Sequence, residues 1–232
     1  LNPNETIDGA KRSAFSIAGS VLTIGSIRTP ASWETDIAAS MAAQGQSGAV
    51  PAWSGGILIT NRDIKKFLYG YFEIRARWPN PGKGMFPALW FYATDGSGDP
   101  KNKGGAEIDL FEIFGFSTGQ PWDITLHYRD NNNISVRPSV HVTAQTQNND
   151  TTDWHTYALD WQPTYLRFYK DNVLVAEITG EDATWFDTTM DIRLNYSMDA
   201  SWFPADRLSD SSTPDPLLME VDYVRQWATK PY

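Results

Sequence analysis
The sequence has no cysteine, which excludes a disulfide scaffold, a thiol nucleophile and a cysteine zinc site. A chain of 232 residues can bury a core without such staples, so the absence costs nothing essential. Positive charge is scarce: 19 Lys and Arg stand against 28 Asp and Glu, for a formal net charge of −9. Nucleic acid and anionic membrane surfaces are therefore poor partners. Long apolar runs are missing as well. The longest, residues 85–93, is interrupted by Pro87 and falls far short of a bilayer span. No signal-peptide pattern is present, which says little about export. Helical composition is confined to residues 33–43, closed by Gly45.

Aromatic residues are plentiful at 13%, a composition foreign to disordered chains. They fall in short alternating runs divided by Gly, Pro and Asn. Residues 14–24 read as a hairpin turning at Gly19 and Ser20, and residues 165–179 as another turning at Asp171 and Asn172. Further strands are expected at 56–60, 71–78, 86–93, 106–114, 123–128, 139–144, 155–162, 191–198 and 217–226. The run at 71–78 sets Phe72, Ile74 and Ala76 against Glu73, Arg75 and Arg77, whereas 86–93 is apolar on both faces and reads as an inner strand. Many short strands and almost no helix point to an all-β sandwich. With no repeat or linker, a single domain over residues 1–232 is expected. Residues 131–133 and 145–152 are polar and read as loop tips. The charge is uneven: residues 181–222 hold ten acids against Arg193 and Arg207, which is −8 of the −9. That segment either faces solvent or holds a cation.

The segment that carries chemistry is GAEIDLFEIFG, residues 105–115, where Glu107, Asp109 and Glu112 interrupt an apolar strand. Glu107 and Asp109 are two apart and share a face. Plain alternation would put Phe111 next on that face, so a β-bulge near Leu110 and Phe111 is needed to return Glu112 to it. Three converging carboxylates repel one another, and some must hold their protons. A retaining glycosidase needs this: one carboxylate attacks the anomeric carbon while a second, protonated and roughly 5–5.5 Å away, donates to the leaving oxygen. The middle Asp can help set which of them carries the proton. A solvated strand face, a metal site and a vestigial row in a sugar-binding protein are the competing readings.

The wider sequence favours the enzyme. The acid motif resembles the signature of glycoside hydrolase family 16. YGYFEIRARWP (69–79), GMFPALWFYA (84–93), TLHY (125–128), WHTYALDWQPTYLRFYKDN (154–172) and MEVDYVRQW (219–227) resemble that family's segments in order. The resemblance implies a β-jelly-roll with two antiparallel sheets and a concave substrate cleft. It implies double-displacement hydrolysis of internal β-linkages in a polysaccharide, with Glu107 as nucleophile, Glu112 as acid/base and Asp109 as helper. The ExDxxE spacing looks like the laminarinase, agarase and carrageenase branches and not the ExDxE of lichenases and xyloglucan transglycosylases. A β-1,3- or mixed-linkage glucan is the expected substrate. The alternatives are a galactan or an acidic or sulfated polymer, suggested by Lys101, Lys103, Arg75, Arg77 and Arg129, or a non-catalytic carbohydrate-binding jelly roll. Transglycosylation would use the same residues. A secreted monomer is expected, with no cofactor for catalysis.

Supporting residues follow from the same likeness. Trp90 and Trp202 are candidate sugar platforms, since aromatic faces take sugar C–H surfaces. Glu73, Arg75, His127 and Asn195 match positions near the family's sugar subsites, although LNYSMDASW around Asn195 departs from the family's LNLAVGG. His155 reads as structural, and His141 shows no partner. Asp222 resembles the side-chain ligand of the family's structural Ca2+, a cation that favours carboxylate and carbonyl oxygens. Three sequons, at Asn4, Asn149 and Asn195, read as chance. A GxSxG string at 115–119 lacks the helix a nucleophile elbow needs, and the acidic turn at 95–99 lacks the closing Glu of a calcium loop.

Overall fold
A computed structural model describes residues 6–61, 63–93, 104–115, 122–144 and 151–232. Among these run β1 (Thr6–Ile7), β2 (Ala10–Lys11), β3 (Phe15–Ala18), β4 (Val21–Arg28), β5 (Trp53–Ser54), β6 (Ile57–Ile59), β7 (Gly70–Arg77) and β8 (Met85–Tyr92). They continue with β9 (Glu107–Glu112), β10 (Trp122–His127), β11 (Val140–Ala144), β12 (His155–Gln162), β13 (Tyr165–Lys170), β14 (Val173–Thr179), β15 (Asp191–Met198) and β16 (Leu217–Trp227). Helix α1 (Glu34–Ala43) follows a 3-10 turn and buries none of its residues, so it rides on the surface. Gly45, at φ +71°, leaves it in the left-handed region that glycine adopts without steric cost. A one-turn helix, Glu181–Thr184, has no counterpart in the sequence reading. No helix among the described residues is long and apolar enough to cross a membrane.

The strands build a β-jelly-roll sandwich. One antiparallel sheet runs β11-β10-β9-β8-β15-β6, and the other runs β14-β13-β12-β7-β16-β4-β3 with β5 paired to β4. Each strand offers one apolar face, and the two sheets bury those faces against each other. Phe72 of β7 meets Phe91 of β8 edge-on at 5.0 Å. Phe111 of β9 stacks on Trp78, just past β7, at 4.4 Å and also touches Trp122 and Tyr157. This aromatic layer lies directly under the acid-bearing strand.

β8 is an inner strand, as its two apolar faces predict, between β9 and β15. The strand that precedes it belongs to the other sheet. β7 lies between β12 and β16, and Phe72, Ile74 and Ala76 point into the shared core. Glu73, Arg75 and Arg77 therefore look outward from the second sheet, away from the acids. Alternation fixes which side of a strand is polar, but both sheets show the same pattern, so it does not fix the sheet.

Candidate active site
β9 lies in the middle of the six-stranded sheet, and its neighbours set the row of acids. Glu107 is opposite Tyr92 and His127, Asp109 is opposite Trp90 and Thr125, and Glu112 is opposite Ala88 and Asp123. Register slips on both sides between Asp109 and Glu112, leaving Leu110 unpaired with β8. This is the bulge the spacing predicts. It puts Glu112 in the same cleft as Glu107 and Asp109, while Leu110 and Phe111 are both buried.

The acids stand where two hollows meet. One, of about 710 Å³, includes Trp53, Phe86, Trp90 and Asn195 in its lining; the other, of about 380 Å³, includes Thr125, His127, Arg129, His141 and Trp202. Both share Phe86, Glu107 and Glu112. A groove that continues on either side of the reacting groups admits the interior of a chain.

The three acids have different surroundings. Glu112 is pushed up to about 9, first by burial and then by the nearby Asp109, against a lowering hydrogen bond from Thr125 Oγ1 at 2.8 Å. Burial and the charge of Glu107 also push Asp109 well above the usual carboxylate range. Glu107 accepts an N–H from Arg129 at 2.7 Å, an ion pair whose side chains are 25% and 13% exposed. His127 Nε2 lies 3.3 Å from Asp109 Oδ2 and 3.9 Å from Glu107 Oε1. The first approach falls short of hydrogen-bond geometry, so Asp109 Oδ2 is buried without a hydrogen bond. Burial, aided by Arg129 and opposed by Glu107, lowers the His127 pKa and keeps the ring neutral.

Trp90, half-buried, donates through Nε1 to Asn195 Oδ1 at 2.6 Å, and Asn195 donates to Ser197 Oγ at 3.1 Å. The Arg193 guanidinium covers one side of Trp90 at 4.7 Å. Trp202 is 57% exposed at the rim, held edge-on by Phe86, Phe114 and Phe203. The cleft thus gathers Glu107, Asp109, Glu112, Trp90, His127, Asn195 and Trp202. Glu73 and Arg75 do not join it. Glu73 is buried under the outer face of the second sheet, where Tyr223 and Tyr232 donate to it, and Arg75 pairs with Asp222 at 2.6 Å.

Three site residues have roles the sequence does not give them: Thr125 stands out only as part of a motif, Arg129 only as a base near the cleft, and Ser139 only as the start of a strand. The signal for the first two was alternation, since Thr125, His127 and Arg129 are successive same-face positions. His141 does have a partner: Nδ1 lies 3.3 Å from Thr125 Oγ1. His155 pairs with Asp171 at 2.6 Å beside the β12–β13 hairpin, consistent with a structural role. Lys101, Lys103, Asn4, Asn149, the acidic turn at 95–99 and residues 116–119 of the GxSxG string lie outside the described residues.

The expected calcium ligand has a cationic partner in this structure. Asp222 is a bulged residue of β16, unpaired with β7, and its carboxylate is committed to Arg75. Other acids of the segment are paired one by one: Glu220 with Arg77, Asp210 with Lys83, Asp191 with Arg193 and Asp182 with Arg137. Among the described residues no group of three acids or histidines forms around Asp222. Glu107, Asp109 and His127 do bring ligand atoms within 4.8 Å of one another.

Residues 28–225 match the model of a family described as Glycosyl hydrolases family 16. The chain is 29% identical over 180 residues to a beta-glucanase of Rhodothermus marinus, covering 72% of this chain and 60% of that protein. It is 29% identical over 182 residues to a keratan-sulfate endo-1,4-beta-galactosidase of Sphingobacterium multivorum, covering 74% of this chain and 39% of that protein. The chain thus spans less than two thirds of the length of either relative. The catalytic domain of an endo-1,3-beta-glucanase (laminarinase) from Thermotoga petrophila has the same fold, with a TM-score of 0.71 at 21% identity over 94% of this chain and 81% of that one.

Proposed function
The chain belongs to glycosyl hydrolase family 16, and from that premise we propose that it is a retaining endo-β-glycanase cleaving internal β-linkages of a polysaccharide by double displacement. Glu107 attacks the anomeric carbon as the glycosidic C–O bond breaks, and Glu112 gives its proton to the departing oxygen. The product is a glycosyl ester on Glu107. Glu112, now a carboxylate, takes a proton from water, whose oxygen attacks the same carbon and frees Glu107.

The unequal surroundings of the two glutamates carry this reading. Glu112, pushed up to about 9, keeps its proton at neutral pH, while Glu107 accepts from the guanidinium of Arg129. That difference supports Glu112 as acid and Glu107 as nucleophile, in the same sense as the motif. A purely sugar-binding jelly roll would have no use for it.

A neutral glucan, β-1,3 or mixed-linkage, suits the cleft better than an anionic polymer. Among the described residues no Lys or Arg lines the larger hollow, whereas Glu107, Asp109, Glu112 and Asp199 do. On the cleft face Arg129 and Arg193 are engaged by Glu107 and Asp191. A polymer cut at internal bonds is met outside the cell, so secretion belongs to the same proposal. The test is release of new reducing ends from laminarin, lichenan, agarose, carrageenan and an acidic bacterial exopolysaccharide. Activity is expected on laminarin or lichenan, falling on the order of 10⁴-fold in Glu107→Gln. Binding without turnover across the panel would reject the hydrolase.

A further inference from the structure
β10 ends at His127, and the chain beyond it returns through a bridge between Arg129 and Ser135. Arg129, two residues past His127 and on the same face, stands over the acid row with both terminal nitrogens engaged. Nη1 is 2.7 Å from Glu107 Oε2, and Nη2 is 3.2 Å from His127 Nδ1. The Ser139 hydroxyl reaches the same Nδ1 at 2.9 Å.

A guanidinium can only donate. A neutral imidazole has one N–H and one lone pair, so the nitrogen that meets Arg129 must be the acceptor. The ring proton then sits on Nε2, the nitrogen facing Asp109 Oδ2 at 3.3 Å and Glu107 Oε1 at 3.9 Å. Ser139 alone would leave the matter open, because a hydroxyl donates or accepts equally well. Arg129 removes that freedom.

We propose that Arg129 is the positioning residue of the site: one arm fixes His127 as the Nε2–H tautomer, with the proton on the side of the ring that faces the acids, and the other pins Oε2 of Glu107 so that Oε1 makes the bond to sugar. The fork geometry is what the task requires. Lysine, a single point charge, can serve one of these acceptors but not hold both in a fixed plane. The role rests on the hydrolase reading above, but the tautomer does not.

Nitrogen-15 NMR of the His127 ring reads the tautomer without substrate. The expected wild-type spectrum has a protonated Nε2 and a bare Nδ1. In Arg129→Met, the Nδ1–H form, donating to Ser139, should gain population. Ser139→Ala should leave the wild-type tautomer in place. Turnover of the best substrate should fall in Arg129→Met on the order of 10²-fold in kcat, with KM moving little, because the loss is one of alignment. Arg129→Lys should recover part of it. A protonated Nδ1 in wild type overturns the proposal, and this needs no variant to fold. So does a change of tautomer in Ser139→Ala with none in Arg129→Met, or an unchanged kcat in Arg129→Met. If wild type hydrolyses nothing but shows the Nε2–H ring, the hydrolase reading fails while the tautomer lock stands.

Discussion
At Glu112, burial and the charge of Asp109 disfavour ionisation, and the hydroxyl of Thr125 opposes them by donating to Oε2. These opposing effects set the pH at which Glu112 loses its proton, and with it the proposed acid. The alkaline limb of kcat/KM should therefore lie near pH 9, reporting the free enzyme's essential acid. Thr125→Val removes the bond that favours the carboxylate, so the limb should move upward. A net hydrogen bond of about 0.5–1.5 kcal/mol corresponds to about half to one pH unit. A pH–rate profile of the variant checks this, and a downward move would mean that Thr125 donates elsewhere. Glu107, by contrast, has a guanidinium as partner. The difference between two glutamates five positions apart in one strand comes from what the neighbouring strands place beside them.

The strand that carries them is held from below. Leu110 and Phe111 at the bulge are both buried, and Phe111 stacks between Trp78 and Trp122 with Tyr157 at its edge. Those rings come from both sheets, so the bulge is anchored by the core as well as by its register. Phe111→Ala should cost about 3–5 kcal/mol of folding stability, measured by denaturant unfolding, because a cavity opens where several rings meet. A loss below about 1 kcal/mol would mean that the core collapses to fill the site. The other polar strand runs show what happens without such a row. On β7 the outward residues become surface ion pairs, Arg75 with Asp222 and Arg77 with Glu220. Exposed pairs of this kind contribute little individually.

For the whole molecule, the acid row sets stability against function. Glu112 is raised from 4.5 to about 9 in the fold, so the folded chain holds a proton that the unfolded chain has released. The fold's stability therefore falls as pH rises between those values, by about 1.4 kcal/mol per pH unit from this group. Asp109 pulls in the same direction. Glu112→Gln removes the group, so its advantage over wild type in denaturant unfolding should grow from pH 5 to pH 8. An advantage that stayed constant would mean that the carboxyl titrates alike in both states. An active site built from buried acids costs stability at the pH where it works.

Several features were legible before any fold was known. Short alternating runs gave the strands, and at 155–162, 165–170 and 191–198 they match β12, β13 and β15 to the residue. The extra residue between Asp109 and Glu112 implied the bulge, and the bulge implied that three acids share a face. These are local matters, fixed by the two-residue period of a strand and by the chain's own spacing. What depended on distant segments was not legible. Whether Glu73 faced the cleft or the outer surface depended on which sheet β7 joined, and both choices bury the same Phe72, Ile74 and Ala76. The partner of Asp222 is Arg75, 147 positions away. The pairing of Arg129 with Glu107 depended on the register of β10 against β9. The sequence by itself determined which acids share one face, because periodicity and spacing act within one strand. The tertiary structure decided their charges and partners, because burial and strand pairing bring together groups that lie far apart along the chain.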